Sequence, residues 1–136
     1  MPMHAQWEPD FAVGHQDIDA QHQELLSLCN GLAGLCQPDD DGSLDRRFVQ
    51  AFDRIKAVAR EHFVAEAALL AGLGDVDLED HQIESDEFEH LAAEIATTEN
   101  FDRLELQRFL TLWWVGHITG SAARQRTLLT GARPPA

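Results

Sequence analysis

Four separate stretches of this chain repeat apolar residues at alternating steps of four and three, the period that lines one face of an α-helix. The first runs from about Ile18 to Cys36, with a seam of Ile18, His22, Leu25, Cys29, Leu32 and Cys36. The second, from about Leu44 to Ala71, carries Phe48, Phe52, Ile55, Ala59, His62, Glu66 and Leu69, and Gly72 and Gly74 end it. The third begins after Asp77, a candidate N-cap, and runs to about Thr97 with Leu78, His81, Ser85, Phe88, Ala92 and Ile95. The fourth starts near Asp102, where Asp102-Arg103-Leu104-Glu105 resembles a capping box, and carries Leu106, Leu110, Trp113 and His117 before ending by Gly131. No alternation of period two competes. Four amphipathic helices with short connections predict an all-α fold, an antiparallel up-and-down four-helix bundle. Residues 1–17 are expected to form an N-terminal arm pinned by Trp7 and Phe11, residues 18–131 the bundle, and residues 132–136 a tail.

Charge narrows the function. Asp and Glu number 24 against 10 Lys and Arg, a formal charge of −14 on 136 residues. Such a chain repels phosphate backbones and anionic lipid, so neither a nucleic-acid partner nor a membrane surface is expected. No stretch is apolar for long enough to span a bilayer, and residues 1–16 lack the basic-then-apolar pattern of a secretion signal, so cytoplasm is the expected location. The acidic run Asp39-Asp40-Asp41 lacks the glycine spacing of a calcium loop and reads as a solvated turn. Cys29 and Cys36, read as seven apart on one helix, stand ~10 Å apart, too far for a disulfide, and are expected as free thiols.

The informative feature is where the histidines fall. His22, His62, His81 and His117 occupy seam positions, one on each helix, and Glu66 follows His62 by one turn. A buried ionisable group is costly unless it is paired or holds a metal. At ~1.5 Å of rise per residue, His22 and His81 lie near the starts of their helices and His62 and Glu66 near the end of theirs. In an antiparallel bundle these converge at one end, with His117 deepest. Imidazole and carboxylate donors suit iron, manganese or zinc. His4, His15 and His90 read as surface residues.

Taken together, these residues resemble the bacterial hemerythrins. Trp7, the run from Val13 through Gly14, His15, Asp17, Ile18 and Asp19 to His22, and Asn30 with Leu32 match the opening of that family. Glu61-His62-Phe63 with Glu66, His81 fifteen residues later, and Trp113 with His117-Ile118 match the rest. The resemblance implies a non-haem iron site of two irons, or one, that binds dioxygen or another small diatomic molecule, with His22, His62, Glu66, His81 and His117 as metal residues. Where the family has a further histidine this chain has Ser85, and where it has a bridging aspartate this chain has Ala122. The implied ligand set is therefore incomplete: His22 and His62 on one side, His81 and His117 on the other, and Glu66 between, or a single metal on His22, His62 and Glu66. A binding protein is the leading expectation over an enzyme. The alternatives are an open iron site acting on peroxide or nitric oxide, and a metal-free or single-metal helical module that serves in binding or regulation.

Overall fold

A computed structural model describes residues 1–37, 42–72, 78–97 and 102–130. It contains a short 3-10 turn, Pro9–Phe11, and four helices: α1 (Gln16–Ala33), α2 (Ser43–Gly72), α3 (Leu78–Thr97) and α4 (Arg103–Thr130). Among the described residues there is no strand, and α1 packs on α2 and α4 while α2 packs on α3. The chain forms the expected four-helix bundle. The acidic run 39–41, Gly74, Asp77, the side chains of Leu78, Ile95 and Ala122, and residues 131–136 lie outside what is described. No helix among the described residues is long and apolar enough to cross a membrane.

The core follows the seams with instructive differences. Leu25, Cys29 and Leu32 of α1, Phe48, Phe52, Ile55 and Ala59 of α2, Phe88 and Ala92 of α3, and Leu106 and Leu110 of α4 form one buried cluster. On α4 the fully buried indole is Trp114, not Trp113, and Ile118 continues the stripe. On α2 the buried leucine is Leu70, while Leu69 is half-buried against a small cluster of Val13 and Ile18. A globular helix buries a stripe wider than a single seam, so adjacent residues compete for the core.

The ends of the helices are set by identifiable groups. Gly14 has φ +91, a left-handed conformation that favours glycine. It lets the Asp19 carboxylate accept the N–H groups of Val13 at 2.7 Å and Gly14 at 3.2 Å. His15 is half-buried and caps α1, its Nδ1 accepting the Ile18 N–H at 3.3 Å, so it is not the plain surface residue that the sequence suggested. At the other end α1 stops at Ala33, three residues short of Cys36. Leu35 N–H donates to Leu32 O at 2.9 Å and Cys36 N–H to Ala33 O at 3.4 Å, the i to i+3 tightening of a helix end. Asp102 caps α4 as expected, accepting from Leu104 N–H at 2.9 Å and Glu105 N–H at 3.2 Å.

The N-terminal segment is held by polar clamps as well as by aromatic rings. Asn30 accepts from Ala5 N–H at 2.8 Å and donates to Ala5 O at 2.7 Å. Buried Gln107 does the same for Met3, at 2.8 and 2.6 Å. Trp7 and Phe11 meet edge to face at 5.6 Å and pack on the core.

Candidate metal centre

All five residues singled out by their seam positions meet inside the bundle. His22, on α1, His62 and Glu66, both on α2, are fully buried, and His117 on α4 and His81 on α3 nearly so. His62 Nε2 lies 3.0 Å from His22 Nε2, 3.2 Å from His117 Nε2 and 3.0 Å from Glu66 Oε2. His22 Nε2 is 3.3 Å from Glu66 Oε2, and His117 Nε2 is 3.2 Å from Glu66 Oε1. The donor atoms of His22, His62, Glu66 and His117 all lie within 4.8 Å of one another. His81 falls outside that group. Its Nε2 reaches Glu66 Oε1 at 2.8 Å from the side of α3. Glu66 turns Oε2 toward His22 and His62 and Oε1 toward both His81 and His117, while His117 Nε2 also lies 3.2 Å from His62 Nε2.

The outer nitrogens explain how the inner ones are presented. His62 Nδ1 faces Gln21 Oε1 at 2.9 Å, and His117 Nδ1 faces Glu84 Oε1 at 2.6 Å. Both partners are acceptors, so each Nδ1 carries a hydrogen and each ring is held with Nε2 turned inward. Carboxylate or carbonyl acceptors behind histidine are the arrangement that orients metal ligands. Neither Gln21 nor Glu84 was singled out as a partner from sequence. Glu84 lies off the apolar seam, yet it follows His81 by three residues, and that spacing keeps the two on one helix face.

Electrostatics divides the rings. Burial would push the Glu66 carboxyl up, but the surrounding imidazoles of His117, His22, His62 and His81 outweigh it and hold the group far below the usual carboxylate range. Burial pushes His62 down to about 4 against the pull of Glu66. His117 feels the same burial, yet Glu66 and Glu84 together lift it to about 9. Without a metal, His117 therefore keeps its proton through neutral pH.

The donor set fits a metal. Ligands at about 2.1 Å from one ion stand about 3.0 Å apart at the corners of an octahedron and about 3.4 Å apart in a tetrahedron. The five inter-donor distances given above fall between 3.0 and 3.3 Å. Glu66 Oε2, although close to two imidazoles, has no partner in hydrogen-bond geometry among the described residues. A metal ion between these rings would take over the compensation of the Glu66 charge that the proton on His117 provides without it.

The family model described as Hemerythrin HHE cation binding domain matches residues 13–121. The chain belongs to the hemerythrin family. Hemerythrin-like proteins of Naegleria gruberi and Naegleria fowleri are each 27% identical to it over 129 residues, which is 95% of this chain and 97% of theirs. No solved structure gives a significant match.

Of the two positions at which the sequence suggests a departure from the family, one lies among the described side chains. Ser85 is half-buried and lines a cleft of about 350 Å³ between α2 and α3, beside Phe63 and the ion pair of Arg60 with Glu89 at 3.1 Å. Ala122 lies outside the described side chains. Around the hemerythrin cluster, Trp113 stacks on His117, with ring centres 5.5 Å apart and planes at 9°. Phe63 meets both His81, at 5.9 Å, and His117, at 5.8 Å. Cys29, buried and bonded through its carbonyl to Gln107, is not a member of the metal-capable group.

Proposed function

We propose that this hemerythrin-family protein binds iron at the buried cluster and presents it to dioxygen or another small diatomic molecule. The observation that supports the reading is the convergence of Nε2 of His22, His62 and His117 with a carboxylate oxygen of Glu66, in a fully buried setting, with the outer nitrogens of two rings tied back. Iron, when bound, supplies redox chemistry and affinity for diatomic ligands. Nitrogen and carboxylate donors with no thiolate suit it. The chain's own residues do the rest. His22, His62, His117 and Glu66 would hold the ion, Gln21 and Glu84 fix the tautomers, and Glu66 contributes the compensating charge. Trp113, Trp114 and Phe63 wall the cluster and keep bulk water from it, which favours a small uncharged ligand over a solvated ion.

Iron content of the purified protein, with absorbance of the reduced protein before and after exposure to air, tests this. Bound iron with a new visible band that reverses when oxygen is removed is the expected result. Absence of iron after anaerobic reconstitution would point to a metal-free module. Iron that consumes peroxide or nitric oxide catalytically, with no reversible band, would make the protein an enzyme.

A further inference from the structure

The same geometry points to how many ions the cluster takes. We propose that this chain holds one ion, bound by His22, His62, His117 and Glu66, and that His81 is a hydrogen-bonding partner of Glu66 and not a ligand. The inference rests on the reading that the cluster binds metal.

Three observations carry it. First, His62 Nε2 stands 3.0 Å from that of His22 and 3.2 Å from that of His117, while Glu66 meets His22 and His62 through Oε2 at 3.3 and 3.0 Å and His117 through Oε1 at 3.2 Å, edge lengths that one coordination polyhedron supplies. Two ions stand about 3.5–4 Å apart and each needs its own shell of donors. Here three imidazoles share one centre, and Nε2 of His62 touches those of both His22 and His117.

Second, Oε1 of Glu66 faces both His81 and His117, but His117 Nε2 stands equally close to His62 Nε2, and the metal-capable group takes in His117 and not His81. His81 Nε2 is already engaged, 2.8 Å from Glu66 Oε1. The position one turn later is Ser85, a neutral hydroxyl that lines the outward cleft between α2 and α3. With His117 engaged beside His62, a second ion would be left His81 and a shared carboxylate oxygen, too few donors to retain it against water.

Third, the residue before Ser85 is turned to a different task. Glu84 Oε1 lies 2.6 Å from His117 Nδ1, so its charge orients a ligand of the first ion from behind. α3 thus presents a hydrogen-bond donor to Glu66 through His81 and an acceptor to His117 through Glu84. Both contacts serve the one centre formed by α1, α2 and α4.

Stoichiometry decides the matter, and it can be read without any activity. Metal-free full-length protein is titrated anaerobically with ferrous iron, and separately with cobalt(II), whose visible spectrum and electron paramagnetic resonance report the environment and any coupling between ions. A break at one equivalent with the signal of an isolated cobalt(II) is the expected result. A break at two equivalents with a magnetically coupled pair overturns the single-ion proposal while leaving metal binding intact. No binding at all overturns the metal reading itself, so the two failures are distinct.

The variants separate ligand from partner. His81→Gln, which can still donate to Glu66, should keep one equivalent, whereas His117→Ala should weaken cobalt(II) binding by a hundredfold or more, with folding of each checked by circular dichroism. Loss of the ion from a folded His81→Gln protein would overturn the assignment of His81. The wild-type end point stands whether or not the variants fold.

Discussion

Glu84 is the residue whose removal tests the site most sharply, because it touches the cluster only through the back of one ring. Its Oε1 accepts from His117 Nδ1 at 2.6 Å while Nε2 of that ring faces Glu66. Glu84→Ala removes the acceptor that fixes the hydrogen on Nδ1, and the ring loses its orientation. Loss of such a partner typically costs 10–100-fold in metal affinity, or about 1.4–2.7 kcal/mol. The Glu84 side chain is 37% exposed, so water replaces part of the bond, and the lower half of that range, about 10–30-fold, is expected. Proton competition gives the prediction a second handle. Glu84 also helps lift His117 to about 9, so at neutral pH the wild-type ring must shed a proton before it can bind. The variant sheds that proton more easily, and the apparent loss should therefore be smaller at pH 7 than at pH 9. Glu84→Gln keeps an acceptor without the charge and should fall between. Competition with a chromophoric chelator, using zinc or cobalt(II) at both pH values, measures the effect. An affinity for Glu84→Ala within twofold of wild type at pH 9 would refute the reasoning.

Other consequences are open to measurement. In the metal-free protein, His117 at about 9 contributes stability that is full below pH 6.5 and is lost as pH rises through 9, whereas His62 at about 4 costs stability as pH falls from 6.5 to 4. Each limb is on the order of 3 kcal/mol, so urea unfolding should show a maximum near pH 6.5, and a flat profile from pH 5 to 9 would contradict it. Burial lifts Cys29 to about 12. The folded thiol resists ionisation while the unfolded one ionises near 9, so up to about 4 kcal/mol should be lost between pH 9 and 12, and Cys29→Ala should remove that slope. Asn30→Ala breaks the two bonds to Ala5 and should destabilise the protein by about 1–3 kcal/mol, with faster proteolysis of the first residues as the visible sign.

The helices and the five cluster residues were legible because burial leaves a period in the sequence. A histidine at a seam position violates that period, and four such violations with Glu66 marked the right interior. What escaped was polar and local. Gln21 and Glu84 sit beside the stripe, where a polar residue is ordinary, and only the distance to a ring nitrogen on another helix gives them a role. Cys36 continues the seam in register, but the backbone has already tightened out of α1, and hydrophobic contact with the core does not require helix. Trp113 and Trp114 are adjacent and equally apolar. Which of them is fully buried depends on the rotation of α4, which places Trp114 in the core and leaves Trp113 to stack on His117.

The role of α3 follows from the same geometry. His81 and Glu84 are three residues apart and share a face, and each meets a residue of a different helix, Glu66 of α2 and His117 of α4. Ser85, on the next turn, lines the cleft between α2 and α3 and offers no imidazole. On the single-ion proposal, α3 contributes orientation more than coordination. Its two polar contacts hold the carboxylate and one imidazole in place. This division predicts that substitutions on α3 change how tightly the ion is held, while substitutions at His22, His62 or Glu66 change whether it is held at all. A cluster assembled in that way tolerates drift at positions 84 and 85 far better than at position 66, because Glu66 alone faces all four rings.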